Sequence, residues 1–157
     1  MKVGEICQRN VVSIGNHLDL VDAAKLMRDK HVGFLVVLKE GDEARRPIGV
    51  LTDRDIVLQV TARDVSPRSV TVEDVMTRQP LIASEVDDLS EVLQAMRLAG
   101  IRRVPVVDIR GSLSGIVAID DAVDHITGLL CDITGSIKNE QKHERRARPA
   151  VEQSASC

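Results

Sequence analysis

Gly49-Val50-Leu51-Thr52-Asp53-Arg54-Asp55 and Gly115-Ile116-Val117-Ala118-Ile119-Asp120-Asp121 are the two stretches whose alignment decides the fold. In each, a glycine opens a short apolar run, and an aspartate closes it six positions later. Such a run reads as a buried strand leading directly into a helix. Working backward from this pair, and allowing a loop three residues shorter in the second copy, the register settles at 69 residues. Leu35 then falls on Val104, Val37 on Val106, Met27 on Met96, Arg28 on Arg97, Asp19 on Asp88, Leu20 on Leu89, Ile6 on Val75 and Arg9 on Arg78. The chain is therefore two copies of one unit, about 4–65 and 73–133, joined by the polar stretch 64–69.

Each copy has the same succession of patterns. A short apolar segment (Val11–Ile14, Leu81–Ala83) precedes a polar turn and a helix. Leu89, Val92, Leu93 and Met96 mark one helical face, and Leu20, Ala23, Ala24 and Met27 mark its counterpart. Buried strands follow at Gly33–Leu38 and Arg103–Val107, then charged turns, then second strands at Ile48–Thr52 and Leu113–Ala118. Helices start near Asp53 and Asp120. The unit is β-α-β-β-α, an α/β (α+β) fold whose strands one unit alone leaves half uncovered, so two units must cover each other. The last helix is expected to run from Asp120 to about Ile133 with Val123, Ile126, Leu130 and Ile133 turned inward. The pair then occupies residues 1–137. The remainder, 138–157, reads as a polar tail that frays as a helix and is disordered after Pro149.

Composition narrows the function. The chain has 157 residues, 43% hydrophobic and 29% charged, with no Trp, no Tyr and Phe34 as its one aromatic. Stacking platforms for single-stranded nucleic acid need aromatic side chains, and a net charge of −3 disfavours a phosphate backbone as partner. No nucleic-acid partner is expected. Cys7, Cys131 and Cys157 form no paired or metal-ligand spacing, so Cys7 and Cys131 read as small core residues. No apolar run approaches a membrane span and no leader pattern opens the chain, which reads as cytoplasmic. His17, His31, His125 and His143 are scattered, and no nucleophile elbow, P-loop or H-E-x-x-H spacing occurs. Neither catalysis nor a bound metal or required cofactor is expected.

The two opening stretches, with Ile101-Arg102-Arg103-Val104-Pro105-Val106-Val107-Asp108, resemble the CBS (cystathionine β-synthase type) domain pair. The first two look like that family's Gly-apolar-apolar-Ser/Thr-x-x-Asp turn, and the last like its basic strand ending in Pro-Val. The resemblance covers about residues 4–133. It implies repeats packed about a pseudo-two-fold axis with two clefts between them, which in this family commonly hold AMP, ADP, ATP or another adenosyl ligand such as NAD or S-adenosylmethionine. It also implies a homodimeric disc. Some members have empty clefts.

The resemblance places Thr52, Arg54 and Asp55 in one cleft with Ile82, Ile101, Arg102 and Arg103. Asp55 would accept the ribose hydroxyls, aliphatic side chains would flank adenine, and guanidinium groups would meet phosphate. The second cleft would combine Asp120 and Asp121 with Ser13, Val32, Gly33 and Phe34. There Ala118 stands in place of the hydroxyl residue, Gly33-Phe34 in place of the basic pair, and Asp120 adds negative charge, so weaker binding is expected. A plainer reading stands beside this one, because Thr52-x-x-Asp55 is also a capping-box pattern. Arg102 and Arg103 alternate faces on a strand, so at most one is expected to point fully into the cleft. The functional readings are a nucleotide-sensing regulatory module, a dimerisation or docking scaffold with empty clefts, and a regulatory fragment acting on a separate protein partner. The basic tail residues Lys142, Arg145, Arg146 and Arg148 read as solvated or as a docking segment for such a partner.

Overall fold

The computed structural model describes residues 1–147, so the expectation of disorder after Pro149 lies outside the described residues. The chain divides into two compact units, Met1–Ile119 and a second beginning at Asp120. In chain order the elements are β1 (Ser13–Gly15), α1 (Leu20–Lys30), β2 (Phe34–Leu38), β3 (Pro47–Thr52), α2 (Asp53–Gln59), α3 (Val72–Val75), β4 (Thr77–Arg78), β5 (Ala83–Ser84), α4 (Leu89–Ala99), β6 (Arg103–Val107), β7 (Leu113–Ala118) and α5 (Ile119–Ala147).

The two repeats fold alike because their local signals match. Asp19 and Asp88 cap α1 and α4, accepting hydrogen bonds from the backbone N–H of Asp22 and Ser90. Both helices end in a left-handed residue, His31 (φ 54°) and Gly100 (φ 67°). The following residues, Val32 and Ile101, donate back to the carbonyls of Met27 and Met96 and close the last turn. β1 and β2 pair in parallel and β2 and β3 antiparallel, with the irregularity between Val37 and Leu38. β5, β6 and β7 repeat this arrangement, with the irregularity between Val106 and Val107. Leu20, Ala23 and Met27 are buried on α1 as expected, whereas Ala24 is exposed and Leu26 packs on the core in its place.

What joins the repeats is an exchange of their opening segments. β4 belongs to the second repeat in sequence yet pairs with β3 of the first, Val50 opposite Thr77 and Gly49 opposite Arg78. Reciprocally, Gln8 of the first repeat pairs with Ile116 on β7, with hydrogen bonds of 2.8 and 2.9 Å in the two directions. Val72 and Met76 are buried in the core of the first repeat beside Leu20, Leu35 and Leu51. Val3, the register partner of Val72, is fully buried as its backbone N–H meets the Asp87 carbonyl at 3.0 Å. Burying a valine contributes roughly 1.5–3 kcal/mol, so each exchanged segment is held by more than its hydrogen bonds.

Glycines mark both crossings. A Cβ on Gly115 would lie 2.8 Å from Cys7 Sγ and 3.0 Å from the Gln8 carbonyl oxygen. A Cβ on Gly49 would collide with Met76 and stand 3.0 Å from the Thr77 carbonyl oxygen. The Gly that opens each diagnostic stretch is thus the place where the other repeat's backbone passes.

Two expectations are corrected in α5. The helix continues to Ala147 rather than ending near Ile133. Val123, Ile126, Leu130 and Ile133, expected inward, are all exposed, as is Cys131, while Ala122 is the buried residue. The periodicity was correctly apolar, but periodicity does not say what an apolar stripe faces. Cys7 is buried as expected. Among the histidines, His125 departs from a surface role, its Nε2 being buried without a partner among the described residues.

Replacing Gly115 by Ala is expected to cost about 1–3 kcal/mol, because the Gln8 backbone must shift. Gly15→Ala, where a Cβ meets nothing within 4 Å, serves as control and should leave the urea midpoint nearly unchanged. Acid should also weaken the fold. The Asn16 amide holds Glu73 below its ordinary value, the Thr71 N–H does so for Asp74, and Arg9 for Glu85. The Ser90 hydroxyl brings Asp88 down to about 2. These carboxyls bind protons less readily folded than unfolded, so their contribution is present above the ordinary carboxylate range and lost as pH falls toward 2. Urea midpoints measured between pH 6 and pH 3 should hold steady at first and drop below about 4.5, with a shallower drop in Asp88→Asn.

Candidate functional site

The exchange builds a cavity. β4 brings Thr77 alongside Val50, and the chain continues through Pro80 and Leu81 past the start of α2. Opposite lie the turn after α4, with Gly100, Ile101 and Arg102, and the first residues of β6, Arg103 and Pro105. The resulting hollow of about 560 Å³ is also lined by Gly33, Phe34, Thr52, Asp53, Arg54 and Asp55. Its walls are aliphatic (Val50, Pro80, Leu81, Ile101, Pro105), with Phe34 half-buried at one side. Its size falls in the range of small-molecule sites, about 300–1,000 Å³.

Thr52 and Asp55 are fixed by the start of α2. The Thr52 N–H and hydroxyl donate to Asp55 Oδ2 at 2.9 and 2.7 Å, and the Asp55 N–H donates to Thr52 Oγ1 at 3.1 Å. This is the capping box that the spacing suggested. It consumes one carboxylate oxygen and the hydroxyl proton. Asp55 Oδ1 accepts no hydrogen bond among the described residues and keeps its acceptor capacity. The box therefore aims the carboxylate without exhausting it.

Asp53 has a different role. Its Oδ1 accepts the Arg54 N–H at 2.7 Å, and its carboxylate lies over Gly33, where a Cβ would meet Oδ2 at 2.5 Å. The Asp53 N–H in turn donates to the Gly33 carbonyl at 3.1 Å. Gly33 is thus the residue that lets α2 start close against the beginning of β2.

The charges at the cavity are unevenly satisfied. Arg54 and Arg103 are exposed, and neither guanidinium has a carboxylate or carbonyl partner among the described residues. Arg102 is exposed and partnered. Both Arg102 and Arg103 line the cavity. β6 begins at Arg103, so Arg102 lies in the preceding turn, where strand alternation does not apply. Unpaired guanidiniums beside an apolar slot suit an anionic ligand with a flat or aliphatic body.

Of the residues read from the sequence, Thr52, Arg54, Asp55, Ile101, Arg102 and Arg103 share this cavity. Ile82 does not; it lines a separate hollow of about 240 Å³ with Leu81, Ala83, Asp87, Glu91, Val92 and Ala95. Gly33 and Phe34, read as part of the second cleft, line the first cavity. Ser13 is on β1 opposite Val36, Val32 closes α1, and Asp120 and Asp121 stand in the first turn of α5. Sequence reasoning missed Thr77, Pro80 and Leu81, which reach the cavity only because β4 crosses between repeats. It also missed Gly100, whose signal was its position just after the α4 periodicity. Among the described residues no group of three or more His, Cys, Asp or Glu side chains could hold a metal ion, and no helix is long and apolar enough to cross a membrane.

Comparison with known proteins agrees with this architecture. The CBS domain model matches residues 3–62 and 72–128. An uncharacterized protein of Methanopyrus kandleri is 35% identical over 143 residues, covering 90% of this chain and 71% of that protein. The CBS domain protein PAE2072 from Pyrobaculum aerophilum, solved in complex with AMP, superposes with a TM-score of 0.70 at 26% identity, over 77% of this chain and 89% of that one. The CBS domain pair of protein MJ0100, solved with 5′-methylthioadenosine and S-adenosyl-L-methionine, gives a TM-score of 0.68 at 26% identity, over 82% and 97% of the two chains. The mixed α+β chain with its two tandem repeats belongs to the CBS domain family.

Proposed function

We propose that this protein is a non-catalytic regulatory module that binds an adenosine-containing ligand in the cavity beneath α2. The observation that carries this reading is the pre-aimed Asp55 carboxylate, with one oxygen spent on Thr52 and the other open, next to the unpaired Arg54 and Arg103. Asp55 Oδ1 holds the ribose hydroxyls, the aliphatic walls and Phe34 take adenine, and the guanidiniums take phosphate. Two solved relatives carrying AMP and adenosyl-sulfur ligands support the ligand class. The two arginines favour phosphorylated members, AMP, ADP or ATP, over S-adenosylmethionine, whose sulfonium would meet like charge. Ligand that favours one arrangement of the two repeats shifts the surface presented to a partner. Two copies associate, since Val57 and Leu58 on α2 and much of α5 expose apolar side chains.

One observation favours a second reading, a docking scaffold whose cavity stays empty. Thr52 and Asp55 already satisfy each other at the start of α2, which a structural role alone would explain.

Titration calorimetry with AMP, ADP, ATP, NAD and S-adenosylmethionine separates the two. Binding of at least one, with a matching rise in melting temperature, supports the sensor; no heat and no shift at millimolar concentrations leaves the scaffold. With no Trp or Tyr, the protein absorbs little at 280 nm, so a co-purified adenine should dominate its spectrum near 260 nm. Arg54→Ala and Arg103→Ala should each weaken AMP binding about tenfold or more while leaving adenosine binding nearly unchanged, because each removes a charge-assisted contact of about 1.5–3 kcal/mol. Equal losses for AMP and adenosine would place the phosphate elsewhere.

A further inference from the structure

Where the opening segment of the second repeat crosses onto the first, it leaves another hollow, of about 450 Å³, just past the ends of β1 and β2. The first repeat brings His17 and Lys39 to it, and the second brings Glu73 and Arg78. Consecutive residues of a strand face opposite sides. On β4, Thr77 lines the cavity beneath α2 and Arg78 lines this one, so the two hollows are distinct.

The hollow is built on a buried polar side chain. Asn16, 4% exposed, is the one polar residue buried among the described residues. Its Oδ1 accepts the Glu40 N–H at 3.1 Å, and its amide donates to Glu73 Oε2 at 2.7 Å. Arg78 donates to Glu73 Oε1 at 3.2 Å and to the Glu73 carbonyl at 3.1 Å. Both carboxylate oxygens of Glu73 are thus occupied, and the series Asn16, Glu73, Arg78 fixes a guanidinium that has N–H groups to spare. The side chains of His17 and Lys39 make no hydrogen bond or ion pair among the described residues.

The other repeat shows that the fold does not require this lining. In the 69-residue register Asn16, His17 and Lys39 fall on Glu85, Val86 and Asp108, and Arg9 stands for Arg78. There Arg9 pairs with Glu85, and Asp108 Oδ1 accepts the N–H groups of Arg110 and Ser112. The same strands therefore form with carboxylates where the first site has an amide, a histidine and a lysine.

We propose that this hollow binds a small phosphomonoester. A phosphate presents three oxygens at one centre, which suits three separate donors in Arg78, Lys39 and His17 better than the two oxygens of a carboxylate. Ile48 and the buried Met76 give a short carbon body an apolar surface, and the volume lies within the ~300–1,000 Å³ of small-molecule sites. The site does not depend on the reading of the cavity beneath α2.

Calorimetric titration of the full chain with glycerol 3-phosphate tests this, with inorganic phosphate and succinate as comparison probes. Saturable binding, tighter than for either comparison probe, is expected. His17 and Lys39 are exposed, so His17→Ala and Lys39→Gln should fold, and each should weaken binding about tenfold through loss of one charge-assisted contact. Lys30→Gln removes the same charge from the end of α1 and should change nothing. No saturable binding at millimolar concentrations overturns the site. Equal affinity for inorganic phosphate overturns the organic body, and tighter binding of succinate overturns the phosphate. A loss in Arg103→Ala with none in Lys39→Gln puts the anion in the cavity beneath α2 and also overturns the proposal.

Discussion

The structure depends on an exchange of backbone between its two halves. Residues that open each repeat are not part of that repeat's own core; they cross and pair with the last strand of the other. Gly49 and Gly115 make this possible by leaving no Cβ where Met76, Thr77, Cys7 and Gln8 pass. Val3 and Val72, fully buried at equivalent positions, anchor the two crossings. Alone, the first repeat would lose the edge strand β4 with Val72 and Met76 of its core, and the second would lose the Gln8 bridge to Ile116.

The same crossing makes the site. Thr77, Pro80 and Leu81 reach the neighbourhood of α2 because β4 is hydrogen-bonded to β3, and they form one side of a hollow whose other side comes from the turn after α4. Capping, and in the proposed function recognition, fall to a single pair of side chains. Thr52 and Asp55 hold the start of α2, and that local task gives the carboxylate a defined direction while one oxygen stays open. Arg54 and Arg103 lack such partners among the described residues, which suits an anionic ligand.

Much of this was legible in the sequence because the signals were local and duplicated. Strand-to-helix turns at Thr52–Asp53 and Ala118–Ile119 and most of the buried faces of α1 and α4 follow from spacing alone. Six of the residues read as one cleft do share a cavity. The crossings were not legible, since a two-residue strand such as Thr77–Arg78 has no periodicity and its partner is set by the tertiary fold. The burial of α5 was misread for a related reason. Its apolar spacing is real, but Val123, Ile126, Leu130 and Ile133 are exposed, and periodicity alone does not say what an apolar stripe faces. Ile82 was placed by family register in the cleft, whereas it lines the neighbouring hollow with Ala83, Asp87 and Val92.

The proposed grip of Asp55 on a ribose diol is tested most directly by a two-by-two affinity cycle: AMP and 2′,3′-dideoxy-AMP against the native chain and Asp55→Asn. If the carboxylate holds the sugar, removing the hydroxyls weakens binding strongly in the native chain and hardly at all in the variant. A loss of the same size in both proteins would show that the sugar is held by something else, and the account of the cavity would be wrong.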